Sequence, residues 1–594
     1  MKQKFIAVGA VAAIALMATF GMKEKTEETV TTTKAEGRNS FAITDVRAFD
    51  GERVIEKATV VVRGGRIAAI GRQVETPEGL TKVDGTGKTL LPGLIDAHTH
   101  TYGDALVDSL RFGVTTNLDM FTDPSLFREE KPQRESRKFT NKADMFSAGM
   151  LATIEGGHGT EYPVKVEALS APEEADGWVE RRVAEGSDYI KLVYMPYQPV
   201  FPSLDKATAA ALIEAAHKRG LLAVTHVFSM KGAEDMLEAG TDGLVHVFAD
   251  KVVTPEFAKR AADAGMFVIP TTTVIGAIGA EGTGKTLVKD KAIEPFLTEE
   301  QKINLNGSFG QEIPGFNIEY AIENVRRLHE AGVVILAGTD APNMGTTHGA
   351  SLHQELGFLV DAGMTPIEAL KAATSSVAKH FRLEGRGVLK EGTTADMLLV
   401  NGNPFENIAS TKDIALVYKN GFVISRTPKK SGLEVKTDLP SNLMDFSEGL
   451  MLKTGFKWVA TDDSMIGGKS EAAIKREGEG IRVDGSINPG FAYPWSGAML
   501  SFSEAFNQPY DFTSKAKISF QIRGAEGTYR AMLFRPAGAG IPPMQAFKVT
   551  GEWQTVELDI RAFRDINLSK IAGLSIVAGK EGSFWIEVKD MRIN

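Results

Sequence analysis

The sequence predicts an α/β chain organised around a (β/α)8 TIM barrel, with β segments on either side of the barrel and a second, all-β domain after it. Two observations carry this prediction. Between about residues 91 and 380, short apolar runs alternate with helical stretches that end at glycine, as the strand–helix units of such a barrel require. Outside this region, short alternating runs are separated by glycines, which is typical of β-sheet.

The composition is that of a globular chain with several domains. The chain has 594 residues, of which 43% are hydrophobic and 24% charged, and this length predicts two to four domains. The net charge of -9 indicates no basic surface, so we expect no nucleic-acid partner. Cysteine is absent. This excludes disulfides, cysteine nucleophiles, thiolate ligands and a lipid-modified amino-terminal cysteine, and any metal must be bound by nitrogen and oxygen.

Residues 1–22 have the features of an export signal. A basic start is followed by an apolar run, Phe5–Phe20, that is shorter than the roughly 20 residues of a bilayer span. The cleavage site is not a clean small-x-small match, so retention as an amino-terminal membrane anchor is the alternative. Residues 23–39 are polar and predict a flexible leader. We therefore expect an exported protein, either periplasmic or secreted, with no further membrane span.

Two β segments bracket the central region. Residues 40–90 contain alternating runs such as Ala58–Val62 and Arg66–Ile70, separated by a glycine pair, which predicts a small antiparallel unit with tight turns. Similar alternating runs occur again in residues 381–427, for example in Ala395–Val400, and predict a second β segment.

Helices in the central region, residues 91–380, are marked by their ends. Five helical stretches are each followed directly by glycine, which is the usual left-handed stop of a helix. A sixth begins at Thr365, where a capping box with Glu368 is predicted. The five stretches are Ala207–Arg219, Met230–Ala239, Pro255–Ala264, Asn317–Ala331 and Ser351–Ala362.

Eight apolar runs in this region are candidate strands. A doubly wound open sheet would show a similar alternation, but the polar candidates described next follow strands that are spread around the whole series, which favours a barrel. The eight predicted strands are Leu91–Ala97, Val114–Met120, Phe146–Leu151, Tyr189–Val193, Leu221–Val227, Leu244–Phe248, Phe267–Thr273 and Val333–Ala337.

Potential metal ligands lie at the carboxyl ends of these strands. His98 and His100 end the first strand, and alternate residues of a strand share a face, so both can bind one metal ion. Each candidate alone could be structural: a core histidine, a helix-capping aspartate or a surface lysine. Together they predict a metal centre at one end of the barrel. The other ligands are His226 and His246 at the ends of the fifth and sixth strands and Asp340 after the eighth, and Lys191 in the fourth strand lies among them.

Three further polar residues are placed to contact a substrate. His158 lies in a glycine-rich segment after the third strand, where the backbone can approach a ligand closely. Tyr194 follows the strand that contains Lys191, and His348 follows the eighth strand. His353 falls in a predicted helix, and we expect it to be structural.

Residues 279–286 match a phosphate-binding loop pattern. A long segment separates them from the preceding strand, and no clear helix follows, so nucleotide binding is not favoured. We expect instead a flexible glycine-rich loop over the active site, which could act as a lid.

The stretch from Phe41 to Arg426 resembles the amidohydrolase superfamily, in particular the imidazolonepropionase-like branch that contains Xaa-Pro dipeptidase-like enzymes. The resemblance implies that the two flanking β segments close into one small composite β-sandwich. The motifs that carry it are Pro92–His100, the fourth-strand Lys191, Ala239-Gly240 before His246, Gly338-Thr339-Asp340, Leu352–Leu356 and Gly387–Asp396.

The resemblance also implies a centre with two divalent metal ions, zinc first, with manganese or iron as alternatives. Lys191 would be carboxylated by CO2 and bridge the ions, of which His98, His100 and Asp340 would bind the first and His226 and His246 the second. A hydroxide shared by the ions would attack the carbonyl of an amide, dipeptide or acylated amino acid, His158 would face that carbonyl, and Asp340 would pass the proton to the leaving amine.

Two alternatives remain open. Some relatives with the same histidine pair use one metal ion to hydrolyse or deaminate cyclic substrates, and these usually carry a glutamate near the fifth-strand histidine. Here His226 is followed by Val227 and Phe228, which favours two ions. A binding protein that has lost turnover is the second alternative, and the intact set of ligands argues against it.

The carboxyl-terminal region, residues 441–594, follows a polar linker predicted at residues 428–440. Short alternating runs predict a β-sandwich here. The region resembles the complex I intermediate-associated protein 30 family, a jelly-roll fold related to galactose-binding modules, through Trp458–Ser470, Gly551–Gln554 and Phe584–Met591.

This second resemblance implies a binding or docking module, although Ile466 is an extra residue in the first motif. The partner could be a carbohydrate, another protein or a second copy of the chain. Tyr493 and Trp495 could stack on a sugar, although core packing is the commoner role of aromatic residues in a sandwich. A solubilising appendage is the alternative.

Overall fold

The structure, a computed structural model, describes residues 39–136, 138–160, 166–197, 201–278, 282–307, 317–427, 435–463, 469–489, 494–503, 508–534, 542–563 and 566–594. The predicted export signal, the leader except for Asn39, and the predicted residues Ile466 and Tyr493 lie outside these ranges. Within them, no helix is both long and apolar enough to cross a membrane. The chain forms two compact units, divided after Pro428.

The first unit alternates strands and helices. In chain order its strands and helices are β1 (Phe41–Phe49), β2 (Val54–Arg63), β3 (Arg66–Gly71), β4 (Thr81–Asp84), β5 (Lys88–Pro92), β6 (Leu94–Thr99), α1 (Ala105–Arg111), β7 (Val114–Asp119), α2 (Pro124–Glu135), β8 (Asp144–Ser147), α3 (Ala175–Glu185), β9 (Ile190–Val193), α4 (Lys206–Lys218), β10 (Ala223–His226), α5 (Met230–Ala239), β11 (Gly243–Val245), α6 (Pro255–Asp263), β12 (Phe267–Ile269), α7 (Thr272–Ile278), α8 (Lys285–Lys289), α9 (Glu299–Asn306), α10 (Ile318–Glu330), β13 (Val334–Ile335), α11 (Ala350–Asp361), α12 (Pro366–Ala372), α13 (Ser375–His380), β14 (Met397–Asn401), β15 (Ile414–Lys419) and β16 (Phe422–Val423).

The barrel consists of the eight strands β6 to β13, and the predicted (β/α)8 fold is confirmed. Neighbouring strands are parallel and follow chain order within two sheets, β6-β7-β8 and β9 to β13. A parallel bridge between Ala152 and Leu192 joins the two sheets, and another between Thr99 and Ala341 closes the ring. Strands such as β7 and β9 are buried along their whole length, as expected for parallel strands covered on both faces.

The two flanking segments form one mixed sheet, in the order β16-β15-β14-β5-β1-β2-β3, with β4 paired to β1. The antiparallel pair of β5 and β14 joins the two segments, with Leu91 opposite Leu398. The first segment is not wholly antiparallel as predicted, because the chain crosses back after β3 and β1 pairs in parallel with β4 and β5. This composite sheet has a hydrophobic core of its own.

One predicted strand is two strands in the structure. The run Leu91–Ala97 is divided at Gly93, where β5 of the composite sheet ends and β6 of the barrel begins. A side chain at this position would collide with Thr115 on β7. Glycine therefore lets the chain pass from the composite sheet to the barrel while lying close to Thr115.

The helix ends agree closely with the predicted stops. The five glycines that follow α4, α5, α6, α10 and α11 all have positive φ, for example +86° at Gly240. The predicted capping box of Thr365 and Glu368 is present at the start of α12. The seventh predicted strand is too long, because the chain turns into α7 at Thr272, where a buried carboxylate binds the first two N–H groups of the helix.

The described part of residues 279–286, which begins at Gly282, does not have the surroundings of a phosphate-binding loop. Helix α7 separates them from β12, and the helix that follows, α8, has only five residues. In the part of this segment that is described, Gly284 lies against the backbone of Gly345, and Gln354 Nε2 donates to the Thr283 carbonyl (2.9 Å). The predicted role as a lid stays a prediction.

The second unit is an antiparallel β-sandwich with a single core. One sheet has the order β17-β20-β25-β22-β23 and the other β18-β19-β26-β21-β24. The strands are β17 (Lys457–Asp462), β18 (Glu471–Glu477), β19 (Gly480–Ile487), β20 (Ser496–Ser501), β21 (Lys517–Gly524), β22 (Gly527–Phe534), β23 (Met544–Val549), β24 (Gln554–Asp559), β25 (Gly573–Ala578) and β26 (Gly582–Ile593).

Part of the predicted linker belongs to this sandwich. Lys436 pairs with Tyr510, and Leu439 is buried in the core. Residues 428–434, the first half of the predicted linker, lie outside the described ranges.

Candidate metal centre

The predicted ligands come together at the carboxyl ends of the barrel strands. His98 lies in β6, His226 ends β10, and His246 directly follows β11. The segment after β13 is fixed against β6, since the backbone N–H of Asp340 donates to the His98 carbonyl (2.8 Å) and that of His100 to the Ala341 carbonyl (2.8 Å). Closure of the barrel therefore brings the first and last strands together at this site.

Asp340 lies between three of the histidines. Its Oδ1 is 3.2 Å from His98 Nε2 and 3.0 Å from His100 Nε2, and its Oδ2 is 4.0 Å from His246 Nε2. Among the described residues, neither Oδ1 nor either ring nitrogen of His98 has a hydrogen-bond partner of good geometry, although these atoms are buried. Ligand atoms of His98, His246 and Asp340 all lie within 4.8 Å of one another. Buried, converging and unpaired donors of this kind fit a metal ion.

His226 extends the cluster to a second side. Its Nδ1 is 3.1 Å from His246 Nε2, and its Nε2 is buried without a partner among the described residues. The other ring nitrogen of His246 is hydrogen-bonded to Thr271 Oγ1 (2.7 Å), which fixes the orientation of the ring. The backbones of His246 and Asp340 have positive φ, 73° and 59°, a strained conformation that is concentrated at functional sites.

Burial sets the charge of these groups. It lowers the pKa of His98 to about 3 and those of His226 and His246 well below the usual value, so all three are neutral near pH 7, the form that binds metal. Burial would raise the pKa of Asp340, but the adjacent His98 and His100 hold it well below its usual range. The site thus combines neutral imidazoles with one carboxylate.

Lys191 lies in β9 with only 2% of its surface exposed. Burial lowers the pKa of its amine to about 7, although the Asp340 carboxylate opposes this shift. Among the described residues, no carboxylate forms an ion pair with Lys191. A substantial share of the amine is therefore neutral near pH 7 and able to react as a nucleophile.

Three buried carboxylates that the sequence analysis did not assign to the site hold its framework. Asp96 accepts hydrogen bonds from the backbone N–H groups of His98 (3.1 Å) and Thr339 (3.0 Å) and from the Thr339 hydroxyl (2.7 Å). Asp119 accepts from the Thr101 N–H and the Ser147 hydroxyl, both at 2.6 Å. The signal for Asp96 was an acidic residue inside an apolar strand.

The third carboxylate is Glu355 on α11, which is fully buried. It accepts from the backbone N–H groups of Thr272 (2.9 Å) and Thr273 (2.8 Å) at the start of α7. The preceding residue, Thr271, is the hydrogen-bond partner of His246. Glu355 therefore fixes the segment that orients this histidine.

The predicted substrate contacts lie at different distances from the cluster. His158 is partly buried, with its ring 4.9 Å from that of His226. The Tyr194 hydroxyl donates to Asp235 Oδ2 (3.0 Å), and His348 Nε2 donates to the His100 carbonyl (3.1 Å). His353 donates from Nε2 to the Phe112 carbonyl (2.8 Å), in keeping with its expected structural role.

Two aromatic rings lie against these histidines. The Phe228 ring is stacked on His246, with ring centres 5.1 Å apart and planes 10° apart, and meets His226 edge-on at 4.6 Å. The Phe201 ring is 5.5 Å from His158. The sequence analysis used Phe228 only as evidence that an acid is missing, and it did not consider Phe201.

Comparison with known families assigns both units. Residues 161–424 match the Amidohydrolase family, and residues 444–586 match the Complex I intermediate-associated protein 30 (CIA30) family. The imidazolonepropionase of Deinococcus radiodurans is 26% identical over 391 residues, which cover 62% of this chain and 92% of that relative. The ochratoxinase of Aspergillus niger is 26% identical over 436 residues, covering 63% of this chain and 83% of the relative.

Solved structures agree with this assignment. The crystal structure of a putative prolidase from Bifidobacterium longum superimposes with a TM-score of 0.53 and 26% sequence identity, covering 66% of this chain and 96% of that chain.

Proposed function

We propose that this chain, which belongs to the amidohydrolase family and carries a CIA30 domain after its barrel, is a metal-dependent hydrolase that cleaves a C–N bond. The observation that carries the proposal is the cluster of buried nitrogen and oxygen atoms on His98, His226 and Asp340 that have no hydrogen-bond partner among the described residues. Such atoms cost free energy unless a ligand satisfies them, and a divalent ion would do so.

We assign two ions to this cluster. His98, His100 and Asp340 would bind the first and His226 and His246 the second, with zinc as the first candidate because nitrogen and carboxylate ligands suit it. Lys191 would bridge them as a carbamate, formed when its neutral amine adds to CO2 and releases a proton. The lowered pKa of Lys191 supports this step. When bound, the ions would make a water molecule more acidic and polarise the substrate carbonyl.

The protein groups around the ions have separate tasks. Asp340, whose low pKa keeps it ionised, accepts a proton from the attacking water and delivers it to the amine nitrogen as the C–N bond breaks. His158, whose ring lies 4.9 Å from that of His226, would donate a hydrogen bond to the carbonyl oxygen. Similarity to a prolidase and an ochratoxinase supports an amide, a dipeptide or an acylated amino acid as the substrate.

A second candidate function is the hydrolysis of a cyclic amide with one ion. Two observations favour it: the similarity to imidazolonepropionase, and the presence of three ligand atoms, from His98, His246 and Asp340, that suffice for a single ion. In that case Lys191 would not be modified.

The number of metal ions per chain separates the two candidates. Protein purified without chelators and supplied with bicarbonate should contain about two ions by elemental analysis, and Lys191→Ala should contain fewer. The carbamate should also add the mass of CO2 to the intact chain under non-denaturing conditions. One ion, unchanged by Lys191→Ala, would rule out the bridge and favour cyclic amides.

We further propose that the carboxyl-terminal unit binds a partner. Trp553 is 37% exposed, and the cationic groups of Arg523 and Lys589 lie 5.0 and 4.2 Å from its ring. A carbohydrate, another protein or a second copy of the chain is the candidate partner. Trp495 is partly buried, and its indole N–H donates to the Thr461 hydroxyl (3.3 Å), which favours packing over sugar stacking at this residue.

A further inference from the structure

The chemical character of the substrate can be inferred from what surrounds the metal cluster. The rings of Phe228 and Phe201 lie against His246, His226 and His158, the side chains next to the proposed reaction centre. Both phenylalanines are only partly buried, so part of each ring remains accessible. An apolar substrate group would remove this surface from water, which favours its binding.

Phe228 also provides no polar contact for a substrate beside His226 and His246. It follows His226 by two residues and packs flat on His246. Its ring has no atom that could donate a hydrogen bond to a charged substrate group. The wall next to the two histidines is therefore apolar.

Arginine is absent from every segment that follows a barrel strand. This residue is the usual partner of a substrate carboxylate, because its planar guanidinium donates two parallel hydrogen bonds. The segments without arginine are residues 100–104, 120–123, 148–171, 194–205, 227–229, 246–254, 270–317 and 336–349.

Three lysines near these segments pair with carboxylates. Lys206 and Lys231, at the starts of α4 and α5, lie 3.3 and 2.7 Å from Asp235 Oδ1. Lys302 lies 2.5 Å from Glu294. A carboxylate next to the cleaved bond would thus lie beside aromatic rings and the Asp340 carboxylate, where its loss of hydration is costly.

From these observations we infer that the site takes a neutral amide with an apolar or aromatic group beside the carbonyl, in preference to an amide that carries a carboxylate next to the cleaved bond. This inference rests on the proposed function and favours the simple amide among its candidate substrates, because a dipeptide or an acylated amino acid carries a carboxylate next to the cleaved bond. Phe201 and Phe228 are assigned as the residues that set the preference.

A matched pair of compounds tests the inference. N-benzoyl-phenylalaninamide and N-benzoyl-phenylalanine share the same benzamide bond and differ by one negative charge. The neutral compound should be cleaved with a kcat/KM at least about tenfold higher. N-acetyl-phenylalaninamide, which lacks the aromatic acyl group, should be a poorer substrate than its benzoyl counterpart.

Variants test whether Phe201 sets the preference for the aromatic acyl group. Phe201→Ala should lower the benzoyl-over-acetyl preference several-fold, and Phe201→Leu should restore part of it. Phe139→Ala is the matched control, since Phe139 is 52% exposed and its ring packs on Phe422 of the composite sheet. This control should leave the preference unchanged.

Binding measured without turnover separates this inference from the proposed function. Ketone analogues of the benzoyl pair, with CH2 in place of the amide NH, cannot be hydrolysed, and calorimetry gives their affinities for the metal-loaded protein. If no amide is cleaved but the neutral ketone binds more tightly and Phe201→Ala weakens it, the inference holds and the hydrolytic function falls. The inference is overturned if the enzyme cleaves the carboxylate compound as fast as the neutral amide, or if it binds the carboxylate ketone as tightly as the neutral ketone.

Discussion

Lys191 and Lys419 show how two buried lysines in similar sequence surroundings differ. Both lie in apolar strands, and both are almost fully buried. Burial lowers the pKa of Lys419, but Asp144 (2.9 Å) and Asp396 (2.6 Å) outweigh this and raise it. Lys191 has histidines around it, and its pKa falls to about 7. In the sequence, Lys191 was a candidate because of its position in the fourth strand, and family resemblance implied its role. Its physical difference from Lys419 depends on partners more than 20 residues away.

This difference predicts that Lys191→Met has opposite effects on metal-free and metal-loaded protein. The unfolded chain holds the lysine proton with the usual pKa of 10.5, whereas the folded chain holds it with a pKa of about 7. At pH 7 this shift costs the metal-free fold roughly 4 kcal/mol. The metal-free variant should therefore unfold at a higher temperature than the metal-free wild type.

The pH dependence has a definite sign. Between the two pKa values the unfolded state binds more protons, so the stability of the metal-free wild type rises with pH and the advantage of Lys191→Met shrinks towards about pH 10. With metal and bicarbonate the order should reverse, because the variant cannot form the bridge. Differential scanning calorimetry at several pH values checks both statements. A variant that is less stable in the metal-free state at pH 7 would contradict them.

Among the secondary-structure elements, the sequence located helix ends better than strand ends. A helix stop depends on the conformation of one residue, and glycine marks it locally. The end of β12 depends instead on Glu355, which lies 83 residues from Thr272 in the chain and supplies the carboxylate that starts α7. Local periodicity contains no information about such a contact, so the strand was predicted to be longer than it is.

Glu355 should therefore be required for both stability and metal binding. Glu355→Ala leaves two buried N–H groups without acceptors, which should cost about 2–4 kcal/mol. Glu355→Gln should also destabilise the fold, because the NH2 group of the glutamine amide would face one of the two backbone N–H groups, and both are donors. Both changes loosen Thr271, the partner of His246, so metal content should fall as well.

Thermal unfolding and elemental analysis of the same samples measure these effects. Glu214→Gln serves as the control, because Glu214 lies on the outside of α4 and pairs only with Lys218 (2.8 Å) among the described residues. It should shift neither quantity. Full metal content in a destabilised Glu355→Ala protein would show that His246 is held independently of α7.

For the whole molecule, the alternation of strands and helices indicated a barrel, but its closure is a property of distant pairs. Asp96 and Thr339 are 243 residues apart and are hydrogen-bonded at the metal cluster. Likewise β5 and β14, which precede and follow the barrel in the chain, pair with each other and join the two halves of the composite sheet. The spread of the polar candidates favoured a closed barrel over an open sheet, and family resemblance implied that the two flanking segments join. Nothing in the sequence predicted the pair of Asp96 and Thr339.

The division of the chain predicts that the ligand-bearing unit works alone. All six predicted ligands, His98, His100, Lys191, His226, His246 and Asp340, lie before residue 428, and the carboxyl-terminal sandwich has a separate core. A chain that ends at Pro428 should keep its metal content and its turnover within about twofold. If the sandwich binds a partner or a second copy, association should be lost in this shortened chain.

Trp458→Ala in the full-length chain provides the matched comparison. Trp458 is completely buried in the sandwich, and its indole N–H donates to the Leu443 carbonyl (3.2 Å). Its loss should cost about 3–5 kcal/mol and lower the unfolding temperature of the sandwich transition alone, while turnover stays unchanged below that temperature. If turnover falls both in the shortened chain and on melting of the sandwich, the CIA30 domain takes part in the reaction. Retained turnover in both experiments would restrict it to binding or association.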